Sequence, residues 1–93
     1  MARIQFTRHL KRFFPDLDVE AGEVVEGDTV ALVVAGLDAR FPGLAAYLVD
    51  DAGRLRRHVN IFRNGSMLAD PHGLTDALQP DDELYIVQSL SGG

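Results

Sequence analysis

GDTVALVVAGLDARFPG, residues 27–43, decides how the rest of the chain is read. Asp28 and Thr29 carry side chains that accept hydrogen bonds from the first free N–H groups of a helix. Behind them apolar residues recur at Val30, Val33, Val34, Leu37 and Phe41. That spacing of three and four puts all five on one face of a helix. Pro42 disfavours helical geometry in the residue before it and Gly43 closes a turn cheaply, so the helix stops near Phe41. Leu44 and Leu48 predict one further short helical stretch.

Toward the N-terminus the period falls to two. Ile4 and Phe6 face one side of a half-buried strand over Ala2 to Thr7, and Arg3, Gln5 and Thr7 face the other. Arg8 to Phe14 has no clean period and reads as a connection with Phe13 and Phe14 partly tucked against the domain. Leu17, Val19 and Ala21 alternate with Asp16, Asp18 and Glu20, which predicts a second strand within residues 16–26. Gly22 interrupts it and leaves open whether Val24 and Val25 continue past a bulge.

Toward the C-terminus, Asp50 to Gly53 reads as a turn and His58 to Asn64 as a third strand, Val59 and Ile61 opposite Asn60 and Phe62. Asn64-Gly65 predicts a type I′ hairpin turn, because both residues tolerate positive φ, with Met67-Leu68 beginning the return strand. Leu74 and Leu78 are spaced to share one turn of a short helix. Gln79 to Asp82 is a turn, and the final strand runs from Glu83 to about Ser89 with Leu84 and Ile86 opposite Tyr85 and Val87. The order is that of an α+β domain, a mixed sheet packed on one main helix. Its core centres on Phe6, Val34, Leu37, Ile61 and Ile86, and strand parity sends Phe62, Tyr85 and Val87 to the face away from the helix, where an apolar group would dock a partner.

Ninety-three residues suit one domain, residues 1–89, and 46% hydrophobic with 25% charged residues is the range of a folded soluble chain. No apolar run approaches the ~20 residues that span a bilayer, and MARIQF lacks the layout of a secretory signal, so a cytoplasmic protein without membrane partners is expected. Without cysteine there is no disulfide, thiol nucleophile or thiolate metal site. His9, His58 and His72 have no ligand spacing, so no metal is expected. No nucleophile elbow, phosphate-cradling glycine loop or paired-carboxylate signature is present, which argues against an enzyme. The net charge of −5 argues against nucleic acid, which demands a basic excess. Charge is nonetheless blocky: Arg3, Arg8, Lys11 and Arg12 precede any acid, Arg54, Arg56, Arg57 and Arg63 form a second basic group, and acids fill 16–28 and 70–83. Such blocks either steer a protein partner or are ordinary solvated faces.

Residues 90–93, Leu90-Ser91-Gly92-Gly93, read as a tail held out from the domain. Glycines have no Cβ, so their backbone passes through a channel too narrow for other residues. Four extended residues reach about 13 Å at ~3.3 Å each, enough to deliver a terminal carboxylate into another protein's active site. The alternative is a frayed end.

Gly27-Asp28-Thr29-Val30 opening a helix, then Val59 to Gly65, then Leu74 to Glu83 leading into a strand that ends in Gly92-Gly93, resembles the ubiquitin-like β-grasp sulfur carriers over nearly the whole chain. That family includes the small subunit of molybdopterin synthase, the carrier of thiamine synthesis, carriers that supply sulfur for cysteine synthesis, and protein modifiers. Gln88-Ser89-Leu90 departs from the proline and small apolar residues of many relatives, which bears on the choice of partner. The resemblance implies that Gly93 is adenylated by an E1-like enzyme, which holds the ATP, and becomes a thiocarboxylate by attack of a persulfide from a sulfur-donor protein. Leu90, Ser91 and Gly92 would thread the partner's channel, and a sulfur-accepting synthase would take the product. The alternatives are a modifier joined through Gly93 to lysine, for which this chain's single lysine, Lys11, offers little scope for polymers, and a non-covalent β-grasp interaction module.

Overall fold

The computed structural model describes residues 2–88. Five strands form one sheet in the order β2-β1-β5-β3-β4, built from β1 (Ala2–Phe6), β2 (Glu23–Val25), β3 (Val59–Arg63), β4 (Ser66–Met67) and β5 (Glu83–Gln88). The central pair, β1 and β5, is parallel and every other pairing is antiparallel, so the sheet is mixed as expected. Register aligns Phe6, Ile86 and Ile61 across three strands, all buried, and Val34 and Leu37 from the main helix complete the expected core centre.

That helix, α1, spans Val30–Arg40, and its buried residues are Val30, Val33, Val34 and Leu37. Four N–H groups at a helix start lack intrahelical partners. Here Thr29 Oγ1 accepts from Leu32 N at 3.3 Å, and the regular ladder begins with Val33 N donating to the Thr29 carbonyl at 3.1 Å. Two more of the free groups are met by distant chain: Val30 N donates to the Asp76 carbonyl and Ala31 N to the Leu74 carbonyl, at 3.1 and 2.9 Å. Gly36 lies where α1 crosses β2, and a Cβ there would come within 2.7 Å of Val25 Cγ1. A second helix, α2 (Leu44–Leu48), buries both leucines that predicted it. Asp38 joins the two by accepting from Gly43 N and Ala45 N.

Two local readings differ from the structure. The second strand lies within residues 16–26 as expected, but it is only Glu23–Val25, and residues 16–21, where the alternation runs, are turns and irregular chain. Leu17 is fully buried, but Asp18 Oδ1 accepts from the N–H groups of Glu20 and Ala21, and this local bonding takes the donors that a strand ladder needs. Gly22 adopts φ +83° and turns the chain into β2. Likewise no helix forms at Leu74: its φ is +55°, left-handed, and Asp70 and Asp76 hold the loop by accepting nearby N–H groups. Leu74 and Leu78 are buried all the same. The Asn64-Gly65 turn has the two positive φ angles expected, 51° and 88°. Between β1 and β2 a 3₁₀ segment, η1 (Arg8–Arg12), buries Leu10 completely.

Candidate functional site: the outer sheet face and the root of the tail

On the sheet face turned from α1, register puts Gln5, Tyr85, Phe62 and Met67 in one row across four strands. Tyr85 is 46% exposed and Met67 68%, while Phe62 and Val87 are half-buried. The structure therefore brings the three sequence-selected residues to one face. It adds Met67, which sequence reading placed only as the start of a return strand, and Val19, which reaches this face from the loop before β2. Val19, Phe62 and Tyr85, with Gln5, Arg8 and Glu83, line a shallow groove of about 860 Å³. An apolar floor with a polar rim is the make-up of a protein-docking surface.

The rim is fixed by Asp82, the one polar residue that is buried among those described. Its Oδ2 accepts from Gln79 N and its Oδ1 from Asn64 Nδ2, both at 2.9 Å, with Arg63 Nη1 at 3.6 Å. The Gln79 N–H first, then Asn64 and Arg63, hold the Asp82 carboxyl below its ordinary pKa against the opposing effect of burial. Asn64 also exchanges hydrogen bonds with the Glu83 backbone, so one hairpin turn sets the start of β5.

At the other end of β5, Gln88 is the last residue described. Its N–H reaches Thr7 Oγ1 at 3.4 Å, its side-chain Oε1 lies 3.2 Å from His9 Nε2, and Thr7 N donates to the Ile86 carbonyl. Gln88 thus lies beside the first turn of η1. Leu90, Ser91, Gly92 and Gly93 lie outside the described residues. His58 and His72 are exposed, and no three His, Asp or Glu side chains among the described residues gather at metal-binding spacing. No described helix is long and apolar enough to cross a membrane.

A mixed sheet holding one main helix, with a central parallel pair whose second strand leads to the C-terminus, is the architecture of the ubiquitin-like β-grasp class. The fold matches a chain of the Amycolatopsis orientalis BexX/CysO complex with a TM-score of 0.81, covering 100% of both chains at 22% identity. The ThiS family profile matches residues 5–93, and the chain belongs to the ThiS family. Among curated relatives, small archaeal modifier protein 3 of Haloferax volcanii is 34% identical over 65 residues, 70% of each chain. The sulfur carrier protein CysO of Mycobacterium bovis is 33% identical over 69 residues, 72% of this chain and 74% of the relative.

Proposed function

We propose that this chain is a sulfur carrier of the cytoplasm, a domain of residues 1–89 that presents the tail 90–93 to enzymes that do the chemistry. The observation that carries the reading is a family match running through Gly92 and Gly93, together with a relative named as a sulfur carrier. A carboxylate is a poor electrophile, because its charge repels nucleophiles and its oxygen leaves badly. In the proposed cycle the Gly93 carboxylate attacks the α-phosphorus of ATP on an E1-like partner, releasing pyrophosphate and leaving an acyl-adenylate. A persulfide sulfur of a donor protein displaces AMP, and a second thiol cleaves the resulting acyl disulfide to free the thiocarboxylate for a sulfur-accepting synthase. Lacking cysteine, the chain offers no internal thiol to intercept the adenylate.

Leu90, Ser91 and Gly92 are the tether in this reading, and Phe62, Tyr85 and Val87 the surface that seats the adenylating enzyme. The BexX/CysO complex, in which a relative of the same fold sits with another protein, supports partner binding of this kind. Conjugation to a lysine amine through the same acyl-adenylate is the second reading, favoured by the likeness to an archaeal modifier. The test is adenylate formation with the adenylating enzyme from the same cell, comparing the native chain, a one-residue C-terminal extension and Gly92→Val. Extension moves the carboxylate by ~3.5 Å, and a misplacement of ~1 Å already costs about a hundredfold in rate. Loss of activation with unchanged thermal unfolding supports the reading. An extended chain activated as fast as the native one, without trimming, reassigns the domain as a non-covalent interaction module.

A further inference from the structure

The sheet pairings bring together two basic blocks that lie more than forty residues apart in sequence. Residues Arg8, Lys11 and Arg12 lie on η1, which follows β1, and His9 on the same segment touches Gln88. Arg56 and Arg57 directly precede β3, whose first residue Val59 pairs with Gln88. The two groups are joined by α2: the Phe13 ring stacks 5.2 Å from Tyr47, and Arg56 Nε donates to the Ala46 carbonyl at 2.9 Å. All five cations are exposed, and among the described residues none is ion-paired, whereas Arg40, Arg54 and Arg63 are. Phe13, 55% exposed, sits among them.

One group of acids stands at the opposite end, while Asp16 and Asp18 flank Leu17, whose carbonyl accepts from Lys11 Nζ at 3.5 Å at the edge of the basic pole. Glu83 opens β5 beside Arg3, Asp81 and Asp82 precede it, and Glu26 follows Val25, which pairs with Ala2. Six strand residues at ~3.3 Å each separate the two poles by roughly 20 Å. Screening acts over about 8 Å at physiological salt, so the net charge of −5 does not cancel the basic pole for a partner in contact with it.

We propose that this pole, at the root of the tail, docks an acidic protein surface surrounding the channel that receives Gly92-Gly93, with Phe13 as an aromatic anchor within it. The inference rests on the carrier reading and adds the electrostatic character of the partner. Opposite charge around the entry orients the molecule tail-first. Nucleic acid fits less well, because the polyanion would also meet the acidic pole and the net negative charge.

The experiment measures adenylation kinetics with the adenylating enzyme from the same cell at low, physiological and high salt. The native chain is compared with Arg8→Glu/Lys11→Glu/Arg12→Glu/Arg57→Glu, with the same four changed to Gln, and with Glu26→Lys/Asp81→Lys at the far pole, thermal unfolding being recorded for each. Removing steering of this kind changes encounter by roughly tenfold or more, so the reversed variant should raise KM by about that factor at low salt with kcat little changed. High salt should raise the native KM and erase the difference, the Gln variant should fall between, and the far-pole variant should match the native chain. A native KM independent of salt, or equal KM for native and reversed chains, overturns the inference while leaving the carrier reading intact. Retention of the native chain on heparin at physiological salt, with KM unaffected by reversal, overturns it in favour of a polyanion. If the native chain is not adenylated at all, the carrier reading fails and the inference falls with it.

Discussion

Leu37→Ala, paired with Leu32→Ala on the same helix, separates burial from every other property of α1. Leu37 is 0% exposed and Leu32 54%, so the same chemical change is made in core and in solvent. Truncation removes three carbons, which at ~0.8 kcal/mol per buried carbon is about 2.4 kcal/mol of transfer free energy. The residual cavity adds to this, and buried Leu→Ala changes as a class cost roughly 3–5 kcal/mol. The expected loss is therefore about 3–4 kcal/mol, out of the ~5–15 kcal/mol by which a folded domain is stable. At ~4–8 °C per kcal/mol the melting temperature falls by more than about 12 °C. Leu32→Ala removes mainly exposed surface and should stay within ~0.5 kcal/mol of the native chain. Urea unfolding followed by circular dichroism reads both, with the m-value checked for constancy. A loss below ~1 kcal/mol at Leu37, or equal losses at both sites, would refute the packing of α1 on the sheet.

Two further outcomes follow from particular contacts. Asp82 has a folded pKa below the ordinary carboxylate value, so its contribution is fully present above the unfolded pKa of about 3.9 and is lost as pH falls through the folded value. Asp82→Asn should therefore lower stability at pH 7 and flatten the fall of the unfolding midpoint between about pH 5 and 2, and a native-like acid profile would contradict the clamp. Gly36→Ala gains ~1 kcal/mol of helix propensity but drives a methyl to 2.7 Å from the buried Val25 side chain, an overpacking that costs ~1–3 kcal/mol. Net destabilisation of up to about 2 kcal/mol is expected, and a raised melting temperature would show that β2 gives way freely.

Where local pattern and tertiary need agree, the chain could be read directly. The Thr29 cap, the α1 face, the Asn64-Gly65 turn and the alternation of β3 and β5 each state their own geometry within a few residues, and together they put Phe62, Tyr85 and Val87 on one face. Residues 14–21 and 70–78 could not be read this way, because aspartates there fold the backbone through single side-chain acceptors that periodicity does not register. Leu17, Leu74 and Leu78 are buried as their hydrophobicity demands, without belonging to any regular element. The loop at 74–76 exists to satisfy the start of α1, a partnership across more than forty residues that no local signal announces. The close approach of Gly36 to Val25 and the convergence of the two basic blocks on Gln88 follow only from the helix crossing and the strand order.

Whether Gly93 carries sulfur, as proposed, is read by intact mass spectrometry of the protein purified from its own cell under conditions that preserve acyl-sulfur bonds. A population heavier than the unmodified chain by one oxygen-to-sulfur exchange is expected, localised to the C-terminal peptide and abolished by a one-residue extension. A chain found only unmodified, or only as a conjugate heavier by a whole protein, would contradict it.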